Sequence, residues 1–262
     1  MHLELVTREP QSASRSTPIL FVHGMWHAAW CWEEHFLPYF AQRGYTVHAM
    51  SLRGHGGSEG RERLRWATMA DYISDVKQII EQIGQTPILV GHSMGGAIVQ
   101  RVLESYQAPA AILLASAPHT GLIPATVRVF LRHPLAVIKV NLKLSLLPVV
   151  RTPSMAQEIL FSADMPKEQL QGYFSRIQDE AYCAYMDLLG LNLPRPKRVK
   201  TPVLVLGAAD DTVFAQGETE RMARAYGTQA EIFPNMAHNM MLEAGWQSVA
   251  DRMLAWLDER GL

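Results

Sequence analysis

The sequence predicts an α/β protein: a mostly parallel, doubly wound sheet with a helical segment inserted between two of its later strands. Three observations carry that reading. Short apolar runs alternate with stretches of helical periodicity, the pattern of parallel strands joined by crossover helices. A glycine-flanked turn near residue 93 joins a buried apolar run directly to a helical pattern. The alternation then stops from 121 to 199, where prolines accumulate and no strand is legible.

Strands are expected at 3–7, 19–23, 45–51, 87–91, 111–115, 202–207 and 229–233, and helices at 30–42, 69–83, 95–106, 217–226 and 246–259. In the helix at 69–83, Tyr72, Val76, Ile79, Ile80 and Ile83 share one face, and Gly84 stands where a helix stop is needed. Residues 1–120 and 200–262 are thus expected to build the sheet domain. Residues 121–199 carry ten basic side chains against six acidic ones, a local excess of about four. With Pro124, Pro134, Pro148, Pro153, Pro166, Pro194 and Pro196 in this segment, several short helices are expected rather than one long one. So proline-rich a segment lacks the material for a core of its own, so a helical cap on the sheet domain is expected.

Composition excludes several classes. Apolar residues make up 48% of the 262 and charged residues 19%, which suits a sizeable core and not a disordered chain. Twenty-four basic residues against 25 acidic ones leave no global field for nucleic acid. Cys31 and Cys183 cannot staple a domain of this size and stand in no metal-ligand spacing, and the chemistry read below calls for neither a metal nor an organic cofactor. The polar opening has no apolar run behind a basic head, and Lys139 and Lys143 interrupt the most apolar stretch. A reduced, cytoplasmic setting is the expectation.

The chemistry-bearing signal is Gly91-His92-Ser93-Met94-Gly95 between a buried strand and a helix. Side chains at 91 and 95 would collide with facing backbone, so glycine there lets the turn lift Ser93 out with its hydroxyl exposed. A serine alcohol needs a base to become a nucleophile. His238 follows the last expected strand and so lies at the same sheet edge as Ser93. The imidazole needs an acid to fix its tautomer. Asp210 and Asp211 stand just after the strand at 202–207, and no acidic residue occurs between Ser105 and Gln157 to compete. One of the pair is expected to serve the histidine and the other a turn or cap.

His23-Gly24-Met25-Trp26, Gly91-His92-Ser93-Met94-Gly95, Gly207-x-x-Asp210-x-x-Val213 and His238, in this order, resemble the α/β-hydrolase superfamily. The resemblance implies the α/β-hydrolase fold with Ser93, Asp210 and His238 as the triad, Asp210 being the position that matches the family pattern. It also implies an oxyanion hole made by the backbone N–H groups of Met25 and Met94. The opening His23-Gly-Met-Trp-His27-Ala-Ala-Trp30-Cys-Trp32 is similar to that of plant methylesterases and hydroxynitrile lyases. Lyase members carry threonine where this chain has Gly24 and lysine where it has Asn239, so ester chemistry is the expectation. Serine at 93 disfavours the epoxide hydrolase and dehalogenase branches, which need a carboxylate nucleophile.

The expected activity is hydrolysis of small-molecule carboxylic esters of medium-length or lipophilic acyl groups, in the manner of an esterase or lipase. Thioester or C–C bond hydrolysis on the same triad, and a non-catalytic ligand-binding role, remain alternatives. Trp26 and His27 are expected at the substrate, although aromatic residues beside a helix start also serve as core. From the apolar run of the insertion, Leu135, Ile138, Val140, Leu142, Leu144, Leu146 and Leu147 are expected to line the pocket. His55, in the glycine-rich turn after the strand at 45–51, is a candidate rim residue. The basic excess of the insertion would permit contact with anionic lipid; the plain alternative is a face packed on the core with its cations solvated.

Overall fold

Among the described residues, seven strands form one sheet: β1 (Leu5–Arg8), β2 (Ile19–Val22), β3 (Val47–Met50), β4 (Ile88–His92), β5 (Ala111–Leu114), β6 (Val203–Ala208) and β7 (Ala230–Phe233). This computed structural model describes residues 1–10 and 15–262; residues 11–14, part of the polar opening read above, lie outside the described residues. The spatial order is β1-β3-β2-β4-β5-β6-β7. Only β1 runs antiparallel, pairing Leu5 with Met50, and every other neighbouring pair is parallel. Residues of β2, β4, β5 and β6 are buried throughout, because helices cover both faces of a parallel sheet. That is why these strands read as unbroken apolar runs in the sequence.

The covering helices are α1 (Trp30–Glu33), α2 (Phe36–Gln42), α3 (Met69–Ile83), α4 (Met94–Val102), α10 (Gln216–Ala225) and α11 (Trp246–Asp258). Helix α3 starts at a capping box between Thr68 and Asp71 and stops at Gly84, whose φ of 71° only glycine adopts freely. The single helix expected at 30–42 is two. A proline ring at 38 would clash with the carbonyl of Glu34 in a continuous helix, so the chain breaks at Glu34–His35. Pro38 then sits in the first turn of α2, where its missing N–H has no helical acceptor to serve.

Between β5 and β6 the described chain forms α5 (Ile123–Arg132), α6 (Pro134–Lys143), α7 (Pro153–Leu160), α8 (Lys167–Phe174), α9 (Tyr182–Met186) and no strand. Strand β2 lies between β3 and β4, so the crossover reverses direction there and opens a crevice at the carboxyl ends of β2 and β4. The inserted helices leave the sheet from β5 at that same edge and overhang the crevice. Among the described residues, no helix is long and apolar enough to cross a membrane.

Candidate active site

The turn from β4 into α4 is built by close packing. A Cβ on Gly91 would stand 2.5 Å from the carbonyl oxygen of Gly95, and one on Gly95 would stand 2.4 Å from those of Val22 and His23. Neither neighbour can yield, since all are backbone. Helix α4 therefore starts against the end of β2, and Ser93 takes φ 52° and ψ −121°, a conformation that side chains seldom adopt. The turn is held by the Ser93 N–H donating to the Leu114 carbonyl at 3.2 Å and by its own carbonyl accepting from the Ala117 N–H at 2.9 Å. A Cβ at position 24 would press on Ser93 Cβ at 2.7 Å, so Gly24 keeps the loop after β2 tight against the elbow.

His238 sits on the loop between β7 and α11. Its Nδ1–H donates to Oδ2 of Asp211 at 2.8 Å, both side chains being almost wholly buried. The other oxygen of that carboxylate accepts from the N–H groups of Val213 (2.7 Å) and Phe214 (3.0 Å). This corrects the sequence expectation of Asp210. Strand β6 runs one residue beyond its expected end, and the Asp210 N–H donates to the Met236 carbonyl while its side chain turns to solvent. Asp211 then does both jobs foreseen for the pair, turn and histidine partner. The order of two adjacent aspartates carries no signal that would have separated them.

Two buried histidines hold the chain around His238, one through backbone and one through a side chain. His92 Nε2–H donates to the His238 carbonyl at 3.0 Å, and the amide of Asn239 donates to His27 Nε2 at 3.1 Å. His27 in turn donates from Nδ1 to the Met25 carbonyl at 2.6 Å. His27 is therefore not a substrate contact, as the sequence suggested, but a strut between the Met25 loop and the His238 loop. Burial above all lowers these imidazoles: His27 to about 4, His92 well below its usual value, and His23, which accepts from the Leu52 N–H, to about 3. All three are neutral near pH 7, so each offers one donor and one acceptor, and both are used by His23 and His27.

Ser93 and His238 open into one cavity of about 660 Å³, including its mouth. Met25, Trp26 and Met94 line it from the core, Ala125, Val129, Val137 and Val140 from α5 and α6, and Leu146 from the turn after α6. Its polar side chains are Ser93, His238 and the Thr126–Tyr185 hydroxyl pair, 3.0 Å apart. Trp26 stands on the cavity wall, its indole N–H donating to the Leu146 carbonyl. Of the lining expected from the insertion, Val140 and Leu146 stand on the cavity wall and Leu144 and Leu147 do not, while Leu135, Ile138 and Leu142 face solvent, 69%, 47% and 79% exposed. They recur one turn apart on the outer face of α6, while Val137 and Val140 take the inner face. Sequence does not single out Val129, Thr126, Tyr185 or Phe214: periodicity marks a helical face without saying what it faces, and Phe214 lies in the loop between β6 and α10.

His55 is not at a rim either. It is wholly buried, with Nε2 3.2 Å from Oε2 of Glu180 on the inserted segment, a charge pair rather than a well-aligned hydrogen bond. The other Glu180 oxygen accepts from the Tyr72 hydroxyl (2.6 Å) and the Ala181 N–H (2.7 Å), tying the insertion to α3. Among the described residues no group of three or more His, Cys, Asp or Glu side chains is placed to hold a metal ion.

The profile of the alpha/beta hydrolase family matches residues 19–252. A pyrethroid hydrolase of Sphingobium wenxiniae is 35% identical over 83 residues, 32% of this chain and 29% of that protein. Methylesterase 4 of Arabidopsis thaliana is 32% identical over 115 residues, 41% of this chain and 43% of that protein. The matched segments thus span less than half of these relatives. The solved structure of an esterase from Exiguobacterium antarcticum superposes with a TM-score of 0.75 at 18% identity, covering 98% of this chain and 95% of that one. At that identity the likeness is one of fold.

Proposed function

The chain belongs to the alpha/beta hydrolase family, and we propose that it is a serine hydrolase of carboxylic esters with lipophilic acyl groups. The observation that carries this is the placement of His238, bound through Nδ1 to a buried carboxylate and opening with Ser93 into one apolar cavity. Asp211 holds the imidazole with its proton on Nδ1, which leaves Nε2 free to take the proton of the Ser93 hydroxyl. Ser93 Oγ attacks the ester carbonyl, and the developing oxyanion is met by the N–H groups of Met25 and Met94. Met94 is the first residue of α4, so its N–H has no acceptor within the helix and lies at the positive end of the helix dipole. His238 then protonates the leaving alcohol, and on the acyl-enzyme it activates water by the same route.

Preorganised donors of this kind are worth about 2.7–4 kcal/mol each. The cavity lining supports a neutral, apolar acyl group: each methylene buried there contributes about 0.8 kcal/mol. A series of p-nitrophenyl esters tests this. Expected is a kcat/KM that rises from acetate to medium chain lengths; a steady fall from acetate to octanoate would refute the lipophilic pocket. A fluorophosphonate probe should label the native protein stoichiometrically and Ser93→Ala not at all. Absence of labelling in both would favour the ligand-binding alternative.

A further inference from the structure

Helices α5 and α6 are apolar on two opposite sides. Their inner sides, through Ala125, Val129, Val137 and Val140, line the cavity above Ser93. Their outer sides carry a second stripe that nothing among the described residues covers. On α5 it runs Ile123, Val127, Phe130, Leu131, and on α6 Leu135, Ile138, Leu142; Leu131, Leu135 and Leu142 are each more than two-thirds exposed. The spacings of three, four and one residues keep each stripe on one side of its helix. His133 alone joins the two helices, and both inner faces address the same cavity, so the two outer faces form one surface. An apolar patch of this kind marks an interaction site.

Charge says what it fits. Arg132, Lys139 and Lys143 are exposed, and none makes an ion pair among the described residues. No acidic residue occurs between Ser105 and Gln157, and the first one after it, Glu158, is engaged by His133 at 3.0 Å. The protein as a whole carries −1, so this cationic character belongs to the patch and not to the chain. We propose that the outer face of α5 and α6 docks on an anionic lipid bilayer. The leucines, Ile123 and Phe130 enter the headgroup–acyl boundary, and the lysine and arginine heads stay level with the phosphates. A second copy of the chain fits less well, since a two-fold contact through this face would bring its cations together with no acid to answer them. Docking itself does not depend on the ester chemistry proposed above. If both hold, the helices that touch the lipid on one side are those that shape the acyl cavity on the other.

The test is flotation of the whole protein with phosphatidylcholine vesicles, with and without phosphatidylglycerol. Recovery is expected with the anionic vesicles, and loss of most of it at 1 M salt, where the Debye length is about 3 Å. Lys139→Gln with Lys143→Gln should weaken partitioning about thirtyfold. Leu135→Gln with Leu142→Gln should weaken it at least about tenfold. Both pairs are solvent-exposed, so circular dichroism and melting temperature should be unchanged. Ser93→Ala should bind vesicles as the native protein does, which separates docking from turnover. Equal recovery with neutral and anionic vesicles, no recovery with either, or a stable dimer that Leu135→Gln with Leu142→Gln dissociates would each overturn the proposal.

Discussion

Asp211→Asn should be far more damaging than Asp210→Asn, and the structure says why. The Asp211 carboxylate is pinned at one oxygen by the N–H groups of Val213 and Phe214 and gives the other to His238 Nδ1–H. An asparagine must keep its carbonyl oxygen toward the two backbone donors, which forces its NH₂ group toward the imidazole. Two donors then face each other, and His238 must move its proton to Nε2 to relieve the clash. In that tautomer Nε2 cannot accept the Ser93 proton. The serine-protease template gives a loss of roughly 10⁴-fold in kcat for this kind of change, about 5.4 kcal/mol of barrier. Asp210 is exposed and away from the imidazole, and such surface substitutions stay within about 0.5 kcal/mol, little more than a twofold effect. The assay is kcat on a p-nitrophenyl ester that the native protein turns over, with melting temperatures to confirm folding. A folded Asp211→Asn protein retaining more than a tenth of native kcat, or a larger loss in Asp210→Asn, would refute the reasoning.

Ser93→Ala and His238→Ala should each remove nearly all turnover, and the double variant should be little worse than either, because triad members act as a unit; additive losses in kcat would contradict this. Gly95→Ala should cost several kcal/mol in urea unfolding, since its Cβ would lie 2.4 Å from two backbone oxygens. Gly172→Ala, inside α8 with nothing within 4 Å, should instead gain about 0.5–1 kcal/mol. For the buried pair, burial pulls the His55 pKa down and that of Glu180 up, but each is outweighed by its partner, leaving His55 raised above 6.5 and Glu180 lowered below 4.5. The His55 contribution is then full below pH 6.5 and fades as pH rises through its folded value, while that of Glu180 is full above pH 4.5 and fades as pH falls through its own. Melting temperatures of native protein and Glu180→Gln should therefore differ most between these two values and converge in alkali; the neutral histidines 23, 27 and 92 destabilise both proteins alike in acid and cancel. A gap that widened with rising pH would contradict the pairing.

The parts of this molecule legible in sequence are those where one local constraint decides. Strands buried on both faces have to be apolar throughout, so β2, β4, β5 and β6 read within a residue or two of their observed bounds. The elbow at Ser93 needs glycines because β2 and α4 touch there, and glycines at 91 and 95 are visible in any listing of the chain. The neighbouring aspartates are different. Which one meets His238 is decided in the loop, where the Asp210 N–H bonds the Met236 carbonyl and the Asp211 carboxylate takes the N–H groups of Val213 and Phe214, contacts that pattern matching does not resolve. His55 and His27 were misplaced for a related reason: their partners, Glu180 and Asn239, are distant in sequence and meet them only in the folded chain.

The inserted helices show a different limit. A helix that is apolar on one side tells the reader which side is buried, and α3 is of that kind. Helices α5 and α6 have two apolar sides, so periodicity presents two solutions turned half a revolution apart. The expected lining drew on both sides of α6, taking Leu135, Ile138 and Leu142 together with Val140. The structure turns the smaller set inward, Ala125, Val129, Val137 and Val140, and for a physical reason. A cavity has to be left above Ser93, and alanine and valine leave room where leucine would fill it. The bulky residues then face out, and Leu131, Leu135 and Leu142 stand on the outer side, where the proposed lipid contact would use them.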